Sequence, residues 1–321
     1  MSKNKNINVL DRFKRYYIIN NIIEEKIKNA ENKCLHPLKY GEYTLNDIIL
    51  LYKRIGSKSL YGSVFLSKII DNNEYKFATK VQLLTTDTFN ELKFLELVTK
   101  TSIENKNIHF PLMFNNLECS YFNKKDELIP NNLKDTDDKY KYINSYYSTF
   151  VELADGDIGS YLLKNYKTIK LKQLKNMLSQ CFIAILSCHI LNITHNDAHI
   201  NNFLYHKIKI NKKSCFKYEY KDLVFYIENL GFNWVIWDFG YSKYGSMFFT
   251  TNFMYDYIVL IKTIIEELQD NNLDISNSFI EKLYTYLYEF KKDYDLISFL
   301  LKNNILFSDK PIGEIITTII L

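Results

Sequence analysis

In the run His195-Asn196-Asp197-Ala198-His199-Ile200-Asn201-Asn202 an aspartate stands five positions before an asparagine. Further on, Trp237-Asp238-Phe239-Gly240 sets a second carboxylate in front of a glycine. Phosphoryl transfer from a nucleoside triphosphate needs such a set. Asp197 would receive the proton of the acceptor hydroxyl, while Asn202 and Asp238 would hold magnesium through hard oxygen atoms. An Asp-Phe-Gly triplet alone is weak evidence, because three common residues meet by chance. The two motifs in this order are far more specific.

Hydrophobic periodicity says which elements must position these residues. Leu171 to Leu191 predicts a long apolar helix that leads directly into the His195 run. Upstream, 51–55, 63–66 and 75–81 read as strands, separated by turn signals at Gly56, Gly62 and Asp71-Asn72-Asn73. Thr88 to Thr99 predicts a helix with Phe89, Leu92, Leu95 and Val98 on one side, and Tyr146 to Leu153 is again strand-like. Segments 254–268 and 276–290 predict helices, and the polar stretch 115–144 reads as a surface insertion. Asp11 to Lys33 predicts an amphipathic helix whose apolar residues include Phe13, Tyr17, Ile18, Ile22 and Ile27, with its basic residues on a solvated face. β-rich material thus precedes helix-rich material. That order predicts an α+β protein of two unlike lobes, with the cleft between them as the default ligand site. The domain boundaries expected are an N-terminal extension over 1–45, a β-rich lobe over 46–153 and a helical lobe over 154–321.

Composition narrows the function classes. The chain has 321 residues, enough for one large domain or two lobes, and its 47% hydrophobic and 24% charged content fits an ordinary globular protein. A net charge of +4 is too mild to indicate a nucleic-acid partner. The 26 tyrosines and 22 phenylalanines are read as core packing material rather than as a binding device. Five scattered cysteines without a C-x-x-C spacing predict free thiols in a reducing compartment. No signal peptide is visible, and no apolar run approaches the roughly 18–20 residues that cross a bilayer, so a soluble intracellular protein is expected.

Across roughly residues 46–300 the chain resembles the protein-kinase superfamily, and it is most similar to the divergent serine/threonine protein kinases of nucleocytoplasmic large DNA viruses. The resemblance implies a bilobal kinase-like fold, ATP and Mg2+ as cofactors, and protein substrates with serine or threonine acceptors. The run Ile55 to Val64 is similar to the glycine-rich loop, with Gly56 and Gly62 near phosphate and Val64 over adenine. Ala78 and Lys80 match the third-strand motif, where lysine meets the α and β phosphates. Glu91 fits the helix glutamate that pairs with that lysine, with Glu96 as the alternative. Glu152 and Leu153 match the hinge that binds the adenine edge, and Asp157 or Asp155 would reach the ribose. His195 is structural in this family, and His189 reads as a core histidine. Asp256 matches the buried aspartate at the start of the following helix.

The departures also carry information. Asn196 replaces the arginine that binds a phosphorylated activation loop, which removes the cation that loop phosphorylation needs. His199, a catalytic candidate by position, replaces the lysine that touches the γ-phosphate, as it does in aminoglycoside and choline phosphotransferase-like enzymes and in haspin-like kinases. Asp197 and Asp238 lie 41 residues apart, and the excess at about 207–233 reads as an extended β-hairpin insertion. Only 15 residues separate Gly240 from Asp256 and no Ala-Pro-Glu triplet occurs, so the segment that docks protein substrates is cut down. Three readings follow: an active serine/threonine protein kinase, a small-molecule phosphotransferase, or a pseudokinase that binds without turnover. The resemblance places the protein in the host cytoplasm and leaves packaging in the virion open.

Overall fold

The computed structural model describes residues 8–28, 34–56, 62–119, 145–210, 212–245, 253–272 and 277–321. Their contacts divide the chain into two compact units. One takes in Arg12–Thr99 and Leu112–Leu153, the other Met1–Asp11, Lys100–Pro111 and Ala154–Leu321. The protein is mixed α+β, with a curled antiparallel sheet.

In the first unit the chain runs from helix α1 (Asp11–Lys28) through strands β1 (Leu35–Pro37), β2 (Tyr43–Leu45), β3 (Ile49–Ile55), β4 (Gly62–Ile69) and β5 (Asn72–Leu83). It continues through helix α2 (Thr86–Asn105) to strands β6 (Met113–Cys119) and β7 (Tyr146–Val151). The seven strands pair in the order β1-β2-β3-β4-β5-β7-β6, every pairing antiparallel. From Phe77 onward β5 is buried on both sides, and its alternation sorts the residues. Phe77, Val81 and Leu83 enter a core with Ile49, Leu51, Phe65, Phe150 and, from α1, Ile19 and Ile23. Ala78, Lys80 and Gln82 take the other face.

Cys34, just before β1, and Cys119, at the end of β6, form a disulfide with Cα atoms 5.7 Å apart. These are the two opposite edges of the sheet order, so the sheet must curl for them to meet. The expectation that all five cysteines are free is corrected, and with it the ground for a reducing compartment. Spacing could not show a pair that sheet closure brings together. Cys181, Cys188 and Cys215 remain free and buried.

Three local expectations are also corrected. Residues Asn115 to Cys119 belong to strand β6, not to a polar insertion; the rest of that stretch, 120–144, lies outside the described residues. The buried stripe of α1 is Arg12, Phe13, Ile19 and Ile23, while Tyr17 and Ile18 are exposed. Steps of three and four from Phe13 through Tyr16, Ile19 and Ile23 to Ile27 trace one helical face, and Tyr17 and Ile18 fall off it. On α2, Leu92, Leu95 and Val98 are buried but Phe89 is 46% exposed, with the Lys93 ammonium 4.4 Å from its ring centre one turn on.

The second unit contains β8 (Gly156–Asp157), α3 (Ile158–Asn165), α4 (Leu171–Ile190), β9 (Ile193–Thr194), β10 (Phe203–Lys207), β11 (Ser214–Tyr220), β12 (Leu223–Glu228), β13 (Phe232–Ile236), β14 (Lys243–Tyr244), α5 (Met254–Asp270), α6 (Asn277–Leu287), α7 (Asp293–Lys302) and β15 (Glu314–Ile320). Helix α4 is buried almost all round, as its apolar sequence requires. Its few polar groups are satisfied: the Gln180 amide donates to the Phe232 carbonyl and accepts from the Trp234 N–H. β11 and β12 form the hairpin expected within 207–233. β15 adds to it in parallel register on the free side of β11, a pairing that the apolar C-terminal residues did not reveal. Helix α7 was likewise unforeseen. No helix among the described residues is long and apolar enough to cross a membrane.

Candidate functional site

Within the first unit, Gly56 closes β3 with φ +76°, a backbone that suits glycine. Residues 57–61 of the glycine-containing loop lie outside the described residues. Gly62 opens β4 so close to β5 that a Cβ on it would stand 2.4 Å from the Val81 carbonyl oxygen. Val64 pairs with Lys80 across the ladder, and Leu66 with Ala78, so these side chains share the face opposite the core.

On that face Lys80 Nζ reaches Glu91 Oε1 at 2.6 Å. Gln82, two positions along the same strand, donates to Glu91 Oε2 at 2.8 Å. Both carboxylate oxygens are therefore engaged, and both charged residues are buried, Lys80 to 7% and Glu91 to 4% exposure. Taking two charges out of water is costly unless each finds the other with good geometry, a condition that this arrangement meets. Glu96 is exposed, so the choice between the two glutamates falls on Glu91.

Glu152 and Leu153 directly follow β7. The Glu152 carboxylate binds the guanidinium of Arg12 and accepts the Leu112 N–H at 3.0 Å. Arg12 had no signal in the sequence, where it reads as one more surface cation of α1.

In the second unit a short loop carries Asp197. β9 enters it, paired with β14, and Asp256 in the first turn of α5 holds it from beneath. The two carboxylate oxygens of Asp256 accept the main-chain N–H groups of His195 and Asn196, each at 2.8 Å. Asn196 takes a left-handed φ of 63°, and its amide donates to the Tyr241 carbonyl. It is thus committed to the backbone of the loop. His195 is fully buried; its Nε2 bonds the Trp237 carbonyl at 2.9 Å, and burial pushes its pKa down.

Asp197 itself is one-third exposed. Asn202 donates its side-chain amide to the Asp197 carbonyl at 2.8 Å and to its Oδ2 at 3.0 Å. His199 Nδ1 accepts the Asn201 N–H at 3.2 Å, which assigns the neutral ring's proton to Nε2, 3.6 Å from Asp197 Oδ2. The Asn202 amide nitrogen is spent on Asp197, so its oxygen is the atom left to meet a cation.

β10 begins directly after Asn202, and β13 ends directly before Trp237-Asp238. Because the two strands pair antiparallel, with Phe203 opposite Ile236, these ends meet. The Trp237 N–H donates to the Asn202 carbonyl at 2.7 Å. Asp238 follows with φ 65°, a strained conformation for a non-glycine residue, and Phe239 packs buried against His195 with ring centres 5.3 Å apart. Of the two ribose candidates, Asp155 accepts the Lys207 N–H at 2.7 Å, and Asp157 caps α3 by accepting from Ser160 N–H. Each already has a structural bond.

His189 is the core histidine expected, with more to it than packing. Its Nε2 faces Asp256 at 3.3 Å and its Nδ1 faces Asp293 at 2.8 Å; Tyr257 also donates to Asp293, at 2.8 Å. Burial works to lower the His189 pKa, but the hydrogen bonds and charges of Asp256 and Asp293 outweigh it and raise the pKa to about 9. The Asp256 carboxyl, which burial would raise, is held below its ordinary value chiefly by its bond to His189. Asp293 was missed because it begins the unforeseen helix α7.

No protein-family model matches the chain. The chain is similar to the "Probable serine/threonine-protein kinase 380R" of Invertebrate iridescent virus 6, at 27% identity over 241 residues. The match covers 72% of this chain and 43% of that protein, so the chain spans less than half the length of the relative it matches.

Proposed function

We propose that this chain is an Mg-ATP-dependent phosphotransferase of bilobal kinase-like fold that phosphorylates serine or threonine hydroxyls of proteins. The observation that carries the proposal is the Asp197 carboxylate: part-exposed, oriented by Asn202 at two atoms, and presented on a loop that Asp256 anchors. The similarity to a probable viral serine/threonine-protein kinase supports the same chemistry.

In this reading Asp197 accepts the proton of the acceptor hydroxyl as its oxygen bonds to the γ-phosphorus and the bond to the β-phosphate oxygen breaks. His199, beside Asp197, contributes a hydrogen-bond donor toward the transferring phosphoryl group. Lys80, fixed by Glu91, offers its charge to the α and β phosphates. Gly56, Gly62, Val64 and Ala78 line the nucleotide, and the backbone of Glu152 and Leu153 meets the adenine edge. The oxygens of Asn202 and Asp238 suit magnesium, which prefers one or two protein oxygens together with phosphate. When bound, the metal supplies charge neutralisation at the phosphates.

The test is transfer of labelled γ-phosphate from Mg-ATP to a basic protein, an acidic protein, the chain itself, an aminoglycoside and choline, followed by identification of any labelled residue. Phosphoserine or phosphothreonine supports the proposal. Label on an aminoglycoside or choline but on no protein contradicts the acceptor class and favours the small-molecule reading. Nucleotide binding with no transfer to any acceptor contradicts catalysis.

A further inference from the structure

Arg12 has only 4% of its surface exposed, although it lies in the first turn of a helix that precedes every strand of its unit. A guanidinium out of water persists where its planar fork finds a carboxylate. Here Nε donates to Glu152 Oε2 at 2.9 Å and Nη2 donates to Oε1. The same Oε1 accepts the Leu112 N–H, and the Glu152 N–H donates to the Leu112 carbonyl at 3.0 Å. Side chain and backbone of Glu152 are therefore both pinned, one residue past the end of β7.

We infer that Arg12, acting through Glu152, sets the backbone that receives the base of a purine nucleotide, which makes α1 a working part of the nucleotide site. The inference rests on the reading of Glu152 and Leu153 as base-contacting backbone. Three observations in the first unit favour it. α1 is held firmly, with Phe13 buried and Ile19 and Ile23 in the core of the sheet. The contact is a bidentate fork, which fixes orientation as well as distance. Glu152 also grips both main-chain atoms of Leu112, the residue just before β6, so the segment cannot turn without breaking four polar contacts. Arg12 is thus a positioning residue for nucleotide binding, separate from the phosphoryl chemistry.

The experiment is calorimetric titration of the full chain with Mg-ATP, beside steady-state transfer kinetics. Arg12→Gln is expected to weaken nucleotide affinity about tenfold while kcat at saturating nucleotide changes less than about twofold. Arg12→Lys, which keeps the charge without the fork, is expected to fall between. Arg12→Met combined with Glu152→Met removes the pair without leaving a buried charge, and is expected to fold and to bind as weakly as Arg12→Gln. If Arg12→Gln does not fold, this double variant alone decides. Any folded variant without the fork that binds Mg-ATP as tightly as the wild type overturns the inference. A wild-type chain that binds no nucleotide overturns the functional reading itself, and that result is seen before any variant is made.

Discussion

Asn202 reaches back to Asp197 and donates to its carbonyl at 2.8 Å and its carboxylate at 3.0 Å. One side chain thus orients the proposed base and, in the proposed site, would offer its own oxygen to magnesium. Asn202→Ala removes both contributions. The expected outcome is a loss of about 10–100-fold in phosphate transfer, with a higher magnesium concentration needed for half-maximal rate. Transfer rates measured against free magnesium check it, and an unchanged curve would take Asn202 out of the site.

The Lys80–Glu91 pair should separate stability from function. Glu91→Ala leaves a buried ammonium without its carboxylate and is expected to cost about 3–5 kcal/mol in denaturant unfolding. Lys80→Met with Glu91→Leu removes both charges. That variant is expected to recover most of the lost stability and none of the transfer. Recovery of transfer in the apolar double variant would show that the pair serves the fold alone.

The His189 clamp gives stability a direction with pH. Its folded pKa, about 9, lies above its ordinary value of 6.5, so the folded state binds the proton more tightly. That contribution is complete below about pH 6.5 and is lost as pH rises through 9. Asp256, held below its ordinary value, contributes in the opposite sense and is lost only as the solution turns strongly acidic. Thermal melts from pH 6 to 10 should show a falling midpoint in wild type and a flatter one in His189→Gln. Parallel curves for the two proteins would refute the assignment.

The Cys34–Cys119 disulfide closes a loop of 85 residues and ties opposite edges of the sheet. Cys34→Ser with Cys119→Ser is expected to lose about 2–4 kcal/mol, and reductant should lower the wild-type melting point but not that of the variant. Equal response of both proteins to reductant would contradict a formed bond.

What the sequence made legible was what is local in it. The run from His195 to Asn202, the strands from β3 to β5, and helices α4 and α5 each depend on spacings of a few residues, which periodicity reports directly. The features that were missed join distant positions. Arg12 and Glu152 are 140 residues apart, His189 and Asp293 are 104 apart, and the two linked cysteines are 85 apart. Nothing in the local pattern around any of these residues announces its partner. β15 escaped for a related reason: its apolar run takes meaning only from the open side of β11. Phe89 marks the limit of periodicity itself, since an apolar residue in the first turn of a helix can lie under a neighbouring lysine instead of in the core.

The most direct test of the account is the rate of γ-phosphate transfer by Asp197→Asn beside the wild type, at saturating Mg-ATP with nucleotide binding measured on the same samples. The expected rate is lower by on the order of 10²–10⁴-fold, with nucleotide affinity retained. Wild-type transfer by a variant that lacks the Asp197 carboxylate would contradict it.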